Sequence, residues 1–215
     1  MDDPVFIFDI DDTLIHTDPI FWDLAYALTG IKITEEQRLT RKKTHLADCE
    51  LGYSVEDEKR VLKMMDVMKC WERMDFFSEA KMFIRKLEAA RYRINYVTAR
   101  DVSIMGQTYQ NFKDNNIYMD VHQLHMNSHC DEKFENLQKV VEKYRKNCPG
   151  SEIYYFEDHP KYLGHAVELG IDHVVTFDTN FIRHSSEFNI EDVEIFPNQN
   201  LCFYEMRQRI FSNNG

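Results

Sequence analysis

At 215 residues the chain is long enough for one substantial core with a small accessory module, and 43% hydrophobic and 13% aromatic content marks it as globular, with no apolar stretch near the length of a membrane span. A formal net charge of −11 disfavours long polyanions such as nucleic acid and does nothing to help an anionic substrate approach. Five scattered cysteines (Cys49, Cys70, Cys130, Cys148, Cys202) without a CxxC pair read as reduced thiols of a cytoplasmic protein, and the immediate start of a strand leaves no room for a signal peptide.

In chain order, Val5-Phe6-Ile7-Phe8 is a fully apolar run and reads as a buried strand. Asp9 and Asp11 fall at its C-terminal end, followed by Asp12 and Thr13, at the edge where open α/β sheets place their ligands. Two carboxylates so placed repel each other unless a cation sits between them, and hard oxygen donors suit Mg²⁺. Taken alone, the run also fits a strand followed by a solvated acidic turn.

After Asp18-Pro19 the periodicity becomes helical, with helices expected over 20–28, 34–51 and 55–74. Thr34-Glu35-Glu36-Gln37 fits a capping box, and Ser54 leads into the third helix with acids in its first turn. The Val61, Leu62, Met65, Met68 stripe reads as packing. A helix from Ser78 to Ala90 then feeds a strand over 93–98 that ends in Thr98, Ala99 and Arg100. Next come a helix over 102–115, a short strand near 122–126 and a helix over 133–146 that opens on Lys133. A strand over 153–156 ends in Glu157-Asp158, followed by a helix over 161–169 and a strand over 173–177.

This alternation specifies an α/β fold, a Rossmann-like doubly wound parallel sheet with right-handed crossovers. Residues 1–18 and 78–180 are expected to form the core, with 19–77 as a small α-helical cap inserted after the first strand. Residues 181–215 are expected to be a C-terminal extension packed on the core, irregular up to a closing helix over 201–211. The basic patches Arg38 with Arg41-Lys42-Lys43, and Lys143 with Arg145-Lys146, read as solvated helix faces.

Aspartate-based phosphoryl transfer needs a hydroxyl for the phosphate, a lysine to neutralise it and a further acid for the metal. Thr98, Lys133 and the Glu157-Asp158 pair supply these, each beside a strand candidate or at a helix start. With Asp9-Ile10-Asp11-Asp12-Thr13, they make the chain resemble the haloacid dehalogenase superfamily over roughly residues 5 to 177. That family's phosphatases carry DxDx[TV], a strand ending in Thr or Ser, a lysine, and a strand ending in an acidic pair. Asp12 stands where glycine is common in the family, and Tyr162 stands where a further acid often follows the pair.

The resemblance implies a Mg²⁺-dependent phosphatase in which Asp9 is the nucleophile and Asp11 the general acid and base. A second aspartate at this place favours phosphatase chemistry over the dehalogenases and P-type ATPases of the superfamily. Mg²⁺ would bind Asp9, the Asp11 backbone carbonyl and Asp158, with Glu157 behind them. Thr98 and the Ala99 amide would hold phosphate oxygens, and Lys133 would neutralise their charge, with Lys139 in reserve. Thr13 is a candidate to hold Asp11, Arg100 to touch substrate, and His159, His16 and Asp18 to line the entrance. The phosphorylated substrate is left open between a small molecule, a nucleotide or nucleic-acid 5′/3′ end, and a phosphoprotein such as a phosphotyrosine peptide. A catalytically silent binding protein on the same fold is the alternative of another class.

Overall fold

A computed structural model describes residues 3–40, 51–128 and 132–212. Its six strands are β1 (Val5–Phe8), β2 (Arg93–Asp101), β3 (Leu124–Asn127), β4 (Ile153–Phe156), β5 (His173–Phe177) and β6 (Glu194–Phe196). All pair in parallel, in the order β3-β2-β1-β4-β5-β6. A sheet of this kind must be covered on both faces, which is why its central strands are apolar at every position. β1 shows it: all four side chains are fully buried, Phe6 and Phe8 in one hydrophobic cluster, Val5 and Ile7 in the other. Burial of each large apolar side chain is worth about 1.5–3 kcal/mol.

The helices are α1 (Asp18–Thr29), α2 (Glu35–Thr40), α3 (Val55–Val67), α4 (Ser78–Ala89), α5 (Met105–Asp114), α6 (Glu132–Asn147), α7 (Pro160–Glu168), α8 (Asn180–Arg183) and α9 (Gln199–Ser212). α4, α5 and α9 send Phe83, Phe112 and Phe203 onto the Phe6/Phe8 face. α6 and α7 send Leu137, Val140, Val141 and Leu163 onto the other. α1, α2 and α3 stand between β1 and β2 in sequence. Trp22 and Ala25 of α1 share their cluster with Val61 and Met65 of α3, while Leu62 and Met68 of the expected packing stripe are exposed. Among the described residues, no helix is long and apolar enough to cross a membrane.

Several expected boundaries move for identifiable reasons. The helix expected over 34–51 is described only as α2, residues 41–50 lie outside the described residues, and Gly52, at φ +85°, separates it from α3. Both expected N-termini are built as read, since Thr34 with Gln37 and Ser54 with Asp57 form reciprocal caps. The helix expected to reach residue 74 stops at Val67, because Lys69 turns left-handed before a short 3₁₀ turn, Cys70–Glu72. β2 runs three residues beyond Thr98, to Asp101. The stretch read as irregular after Asp178 contributes α8 and the edge strand β6, which is only three residues long and carries no readable alternation.

Going from β1 to β2 and β3 the chain steps one way across the sheet; after β3 it crosses back, and β4, β5 and β6 continue on the other side. The strand order therefore reverses between β1 and β4, and the connections after these two strands leave on opposite faces. That opens a crevice at their C-terminal ends. Phe8 lies level with Tyr96 and Phe156, so Asp9 emerges directly beside Glu157, and the Asp9 amide donates to the Phe156 carbonyl at 2.9 Å.

Candidate active site

Asp9 is buried in this crevice, with the Lys133 ammonium of α6 donating to its Oδ1 at 2.6 Å. The same ammonium lies 2.7 Å from Glu157 Oε2 and 4.2 Å from the centre of the Tyr162 ring. Glu157 is fully buried and its acceptors are occupied: the Tyr155 hydroxyl and Lys133 share Oε2, and the His159 amide donates to Oε1 at 3.0 Å. A buried carboxylate with these partners anchors the lysine, and the lysine fixes one oxygen of Asp9. Tyr162, found by sequence only as the place of a missing acid, packs as an aromatic wall against that lysine.

Burial and the nearby Glu157 push the Asp9 carboxyl up to about 7, even with Lys133 opposing. Asp158 is raised well above the usual carboxylate range by burial and by Glu157, Asp9 and Asp12. Lys133 is raised despite its burial, because Asp9 and Glu157 hold its charge.

Asp11 points into a different set of contacts. The Arg100 guanidinium grips it as a fork, Nε to Oδ2 at 2.9 Å and Nη2 to Oδ1 at 2.8 Å, and the Thr17 hydroxyl donates to Oδ1 at 2.7 Å. Although burial opposes ionisation, Arg100 and Thr17 hold the Asp11 carboxyl below its usual range. Thr13, expected to hold Asp11, is fully buried and instead reaches towards Asp158 Oδ1 at 3.5 Å, because the turn after Asp11 carries its side chain to the β4 side.

Asp12 explains why an acid can stand where glycine is common. Its φ is +53°, and its carboxylate accepts from the amides of Thr17 and Asp18 at 3.0 and 3.1 Å, the local bonding that lets aspartate adopt a left-handed conformation. Burial and the neighbouring Asp18 raise it to about 8.

A cavity of about 220 Å³ opens over these groups, lined by Asp9, Asp11, Ala99, Lys133, Glu157 and Asp158 together with Asp12, His159 and Tyr162 of the core. Thr17, Asp18, Phe21 and Glu58 complete it from the α1–α3 side. Sequence reading missed Thr17, which looks like an ordinary residue ahead of a helix, and Phe21 and Glu58, which look like any helix-face residues until α1 and α3 are folded over the crevice. A larger cavity of about 470 Å³ along α5 lacks any acid or metal-binding cluster.

Not every expected site residue reaches the cavity. Thr98 is fully buried at the strand edge, where its hydroxyl accepts from the Arg100 amide at 3.2 Å. Arg100 is buried and committed to Asp11. His16 packs against Phe77 with the rings tilted by 44° and their centres 3.6 Å apart, and does not line the entrance. Lys139 is exposed and pairs with Glu135 on its own helix, so the reserve lysine is a surface group. Arg145 bonds Asp172 and Lys143 lies over Tyr144, as expected of a solvated face.

Asp9, Glu157 and Asp158 present carboxylate oxygens within 4.8 Å of one another. Three carboxyl groups face Lys133 there, and burial, together with their mutual repulsion, is what raises Asp9 and Asp158. Hard oxygen donors at such a site fit a small divalent cation. Lys133, Tyr155 and His159 already bond Glu157, whereas fewer protein groups bond the oxygens of Asp9 and Asp158.

No family model matches the sequence, and no curated protein matches it in sequence. Solved structures do match across nearly the whole chain. A haloacid dehalogenase-like hydrolase from Streptococcus pneumoniae superposes with a TM-score of 0.63 at 13% identity, covering 94% of this chain and 98% of the other. A candidate phosphoglycolate phosphatase from Lactobacillus plantarum gives 0.62 at 14% identity, covering 96% and 100%. CbbY from Rhodobacter sphaeroides, solved in complex with phosphate, gives 0.60 at 14% identity, covering 93% and 96%.

Proposed function

The chain has the fold of the haloacid dehalogenase-like hydrolases, and from that premise we propose that it is a Mg²⁺-dependent phosphomonoester hydrolase working through an aspartyl-phosphate on Asp9. The observation that carries this reading is the buried Asp9 carboxylate, pinned by Lys133 at one oxygen and facing Asp158 across the crevice.

Asp9 attacks phosphorus, the bond to the leaving oxygen breaks, and that oxygen takes a proton from Asp11. In the second step Asp11 takes a proton from water, whose oxygen attacks the phosphorus, releasing orthophosphate and restoring Asp9. Lys133 neutralises charge on the phosphoryl oxygens, and the amide of Ala99, which lines the cavity, contributes to their cradle. The Asp9 and Asp158 carboxylates and the Asp11 carbonyl would hold a divalent cation, which when bound would supply Lewis-acid polarisation of a phosphoryl oxygen. In the arrangement seen, Arg100 and Thr17 favour Asp11 as a carboxylate, the form the second step needs to accept the proton of water, whereas the first step draws on its protonated form.

The small cavity, with Phe21 and Tyr162 in its wall, favours a compact phosphomonoester, a nucleotide or smaller, over a folded phosphoprotein. Turnover of p-nitrophenyl phosphate that EDTA abolishes, Mg²⁺ restores and Asp9→Asn removes is the expected result. Full turnover by Asp9→Asn would refute the nucleophile, and a wild-type protein inert towards every phosphomonoester would favour a silent binding protein.

A further inference from the structure

Arg100 follows Ala99 of the cavity wall near the C-terminal end of β2, a place that suggests a substrate contact. Its surroundings say otherwise. Of its five N–H donors, Nε and Nη2 grip Asp11, and Nη1 donates to Thr108 Oγ1 at 3.1 Å. The guanidinium lies 4.8 Å from the centre of the Trp71 ring, and the residue is only 4% exposed. A planar fork on a carboxylate sets the direction of both partners, which a lysine at the same place would not do.

Trp71 and Thr17 tie this pair to the helical insert. The chain leaves β1 through Leu14–Thr17 and returns through Trp71–Phe77. The two crossings are bonded to each other, His16 amide to Asp75 carbonyl and Phe77 amide to Leu14 carbonyl, each at 2.9 Å. Thr17 on the outgoing crossing bonds Asp11, and Trp71 on the returning one stacks on Arg100. Both routes into the insert therefore end on one carboxylate.

We infer that Arg100 is a positioning residue that aims the Asp11 carboxylate, that Trp71 holds Arg100 in place, and that Arg100 does not bind the phosphate. This rests on the proposed phosphatase reading for its kinetic consequences and on the contacts alone for its structural ones. A residue acting through the general acid matters most where the leaving group needs a proton. Loss of Arg100 should therefore discriminate between esters by leaving group and leave phosphate binding intact.

The test compares an alkyl phosphate with p-nitrophenyl phosphate, whose leaving group needs no protonation. In Arg100→Ala, kcat/KM for the alkyl ester should fall on the order of 10²-fold, the low end of general acid catalysis, with the aryl ester falling far less. Inhibition by orthophosphate should match the wild type. Trp71→Leu should move the same way and add nothing in the Arg100→Ala background; Trp71→Phe, which keeps an aromatic face, should stay near wild type and guards against a folding defect. Equal loss for both esters, with orthophosphate inhibition weakened about tenfold, would make Arg100 a phosphate ligand and overturn the inference. A wild-type protein without turnover refutes the phosphatase reading instead. The pairing is then read directly from the Arg100 Nε–H resonance in ¹⁵N-arginine-labelled protein: slowly exchanging in the wild type, lost in Trp71→Leu. Its persistence in Trp71→Leu overturns the role given to Trp71.

Discussion

The acid cluster makes stability, pH and metal a single linked problem. A folded carboxyl whose pKa is raised binds a proton that the unfolded chain has already released, so it lowers stability as pH rises between the two values. For Asp9 that window runs from 3.8 to about 7, and for Asp12 from 3.8 to about 8. Keeping Asp9 ionised in the metal-free fold costs about 4 kcal/mol above the upper end of its window. Asp11 has the opposite sign, but its lowered value confines its effect to acid pH. His16 and His125, lowered by burial from 6.5, oppose the trend only below that pH. The clean interval is therefore pH 6.5 to 8; Asp158, raised well above the usual carboxylate range, acts in the same direction there, and Asp9 with Asp12 alone remove about 2 kcal/mol. For a chain of this size that is a fall in Tm of about 4–8 °C. Thermal unfolding in EDTA across this interval should show the fall, and Mg²⁺ should reverse it, with a larger Mg²⁺-induced rise at pH 8 than at pH 6.5 because fewer protons must be displaced. Asp9→Asn should reduce the metal-free slope without abolishing it, because Asp12 keeps its share. A metal-free protein equally stable at both ends, with a Mg²⁺ shift indifferent to pH, would show that these carboxylates do not share a cation site.

Lys133→Met removes the one cation among three acids: turnover should be lost, and the metal-free protein destabilised by about 3–5 kcal/mol, the range for breaking a buried ion pair. Tyr155→Phe deletes the hydroxyl on Glu157; because that hydrogen bond goes to a charged group, unfolding stability should fall by about 1.5–3 kcal/mol in denaturant titration. Asp158→Asn should raise the Mg²⁺ concentration needed for half-maximal turnover by about 100-fold or more, and Glu157→Gln by less, since its oxygens are already taken by protein groups. Equal effects from the last two would assign both acids to the metal.

The strands at the centre of the sheet were readable because burial on two faces leaves an unbroken apolar run, as in Val5–Phe8 and Ile153–Phe156. The residues at their ends, Asp9, Glu157 and Asp158, could then be placed at one edge without knowing any contact, and Lys133 joined them as the residue opening the helix before the second of these strands. What escaped the reading is set by backbone turns and distant pairs. Lys69 in a left-handed conformation ends α3 within a stretch whose apolar pattern continues through Trp71 and Met74. Arg100 and Asp11 lie 89 residues apart, and no local pattern announces that the fork faces Asp11 instead of the phosphate. Thr17 replaces Thr13 on Asp11 because the left-handed Asp12 reverses the chain there, a feature the residue type permits but does not declare.

The central claim is that phosphorus becomes bonded to Asp9. Acid quenching during steady turnover with Mg²⁺, followed by peptide mass mapping, should find a phosphoryl group on the Asp9 side chain in the wild type and none in Asp9→Asn. Undiminished turnover with no phosphoryl group on Asp9, or with the group on another residue, would contradict it.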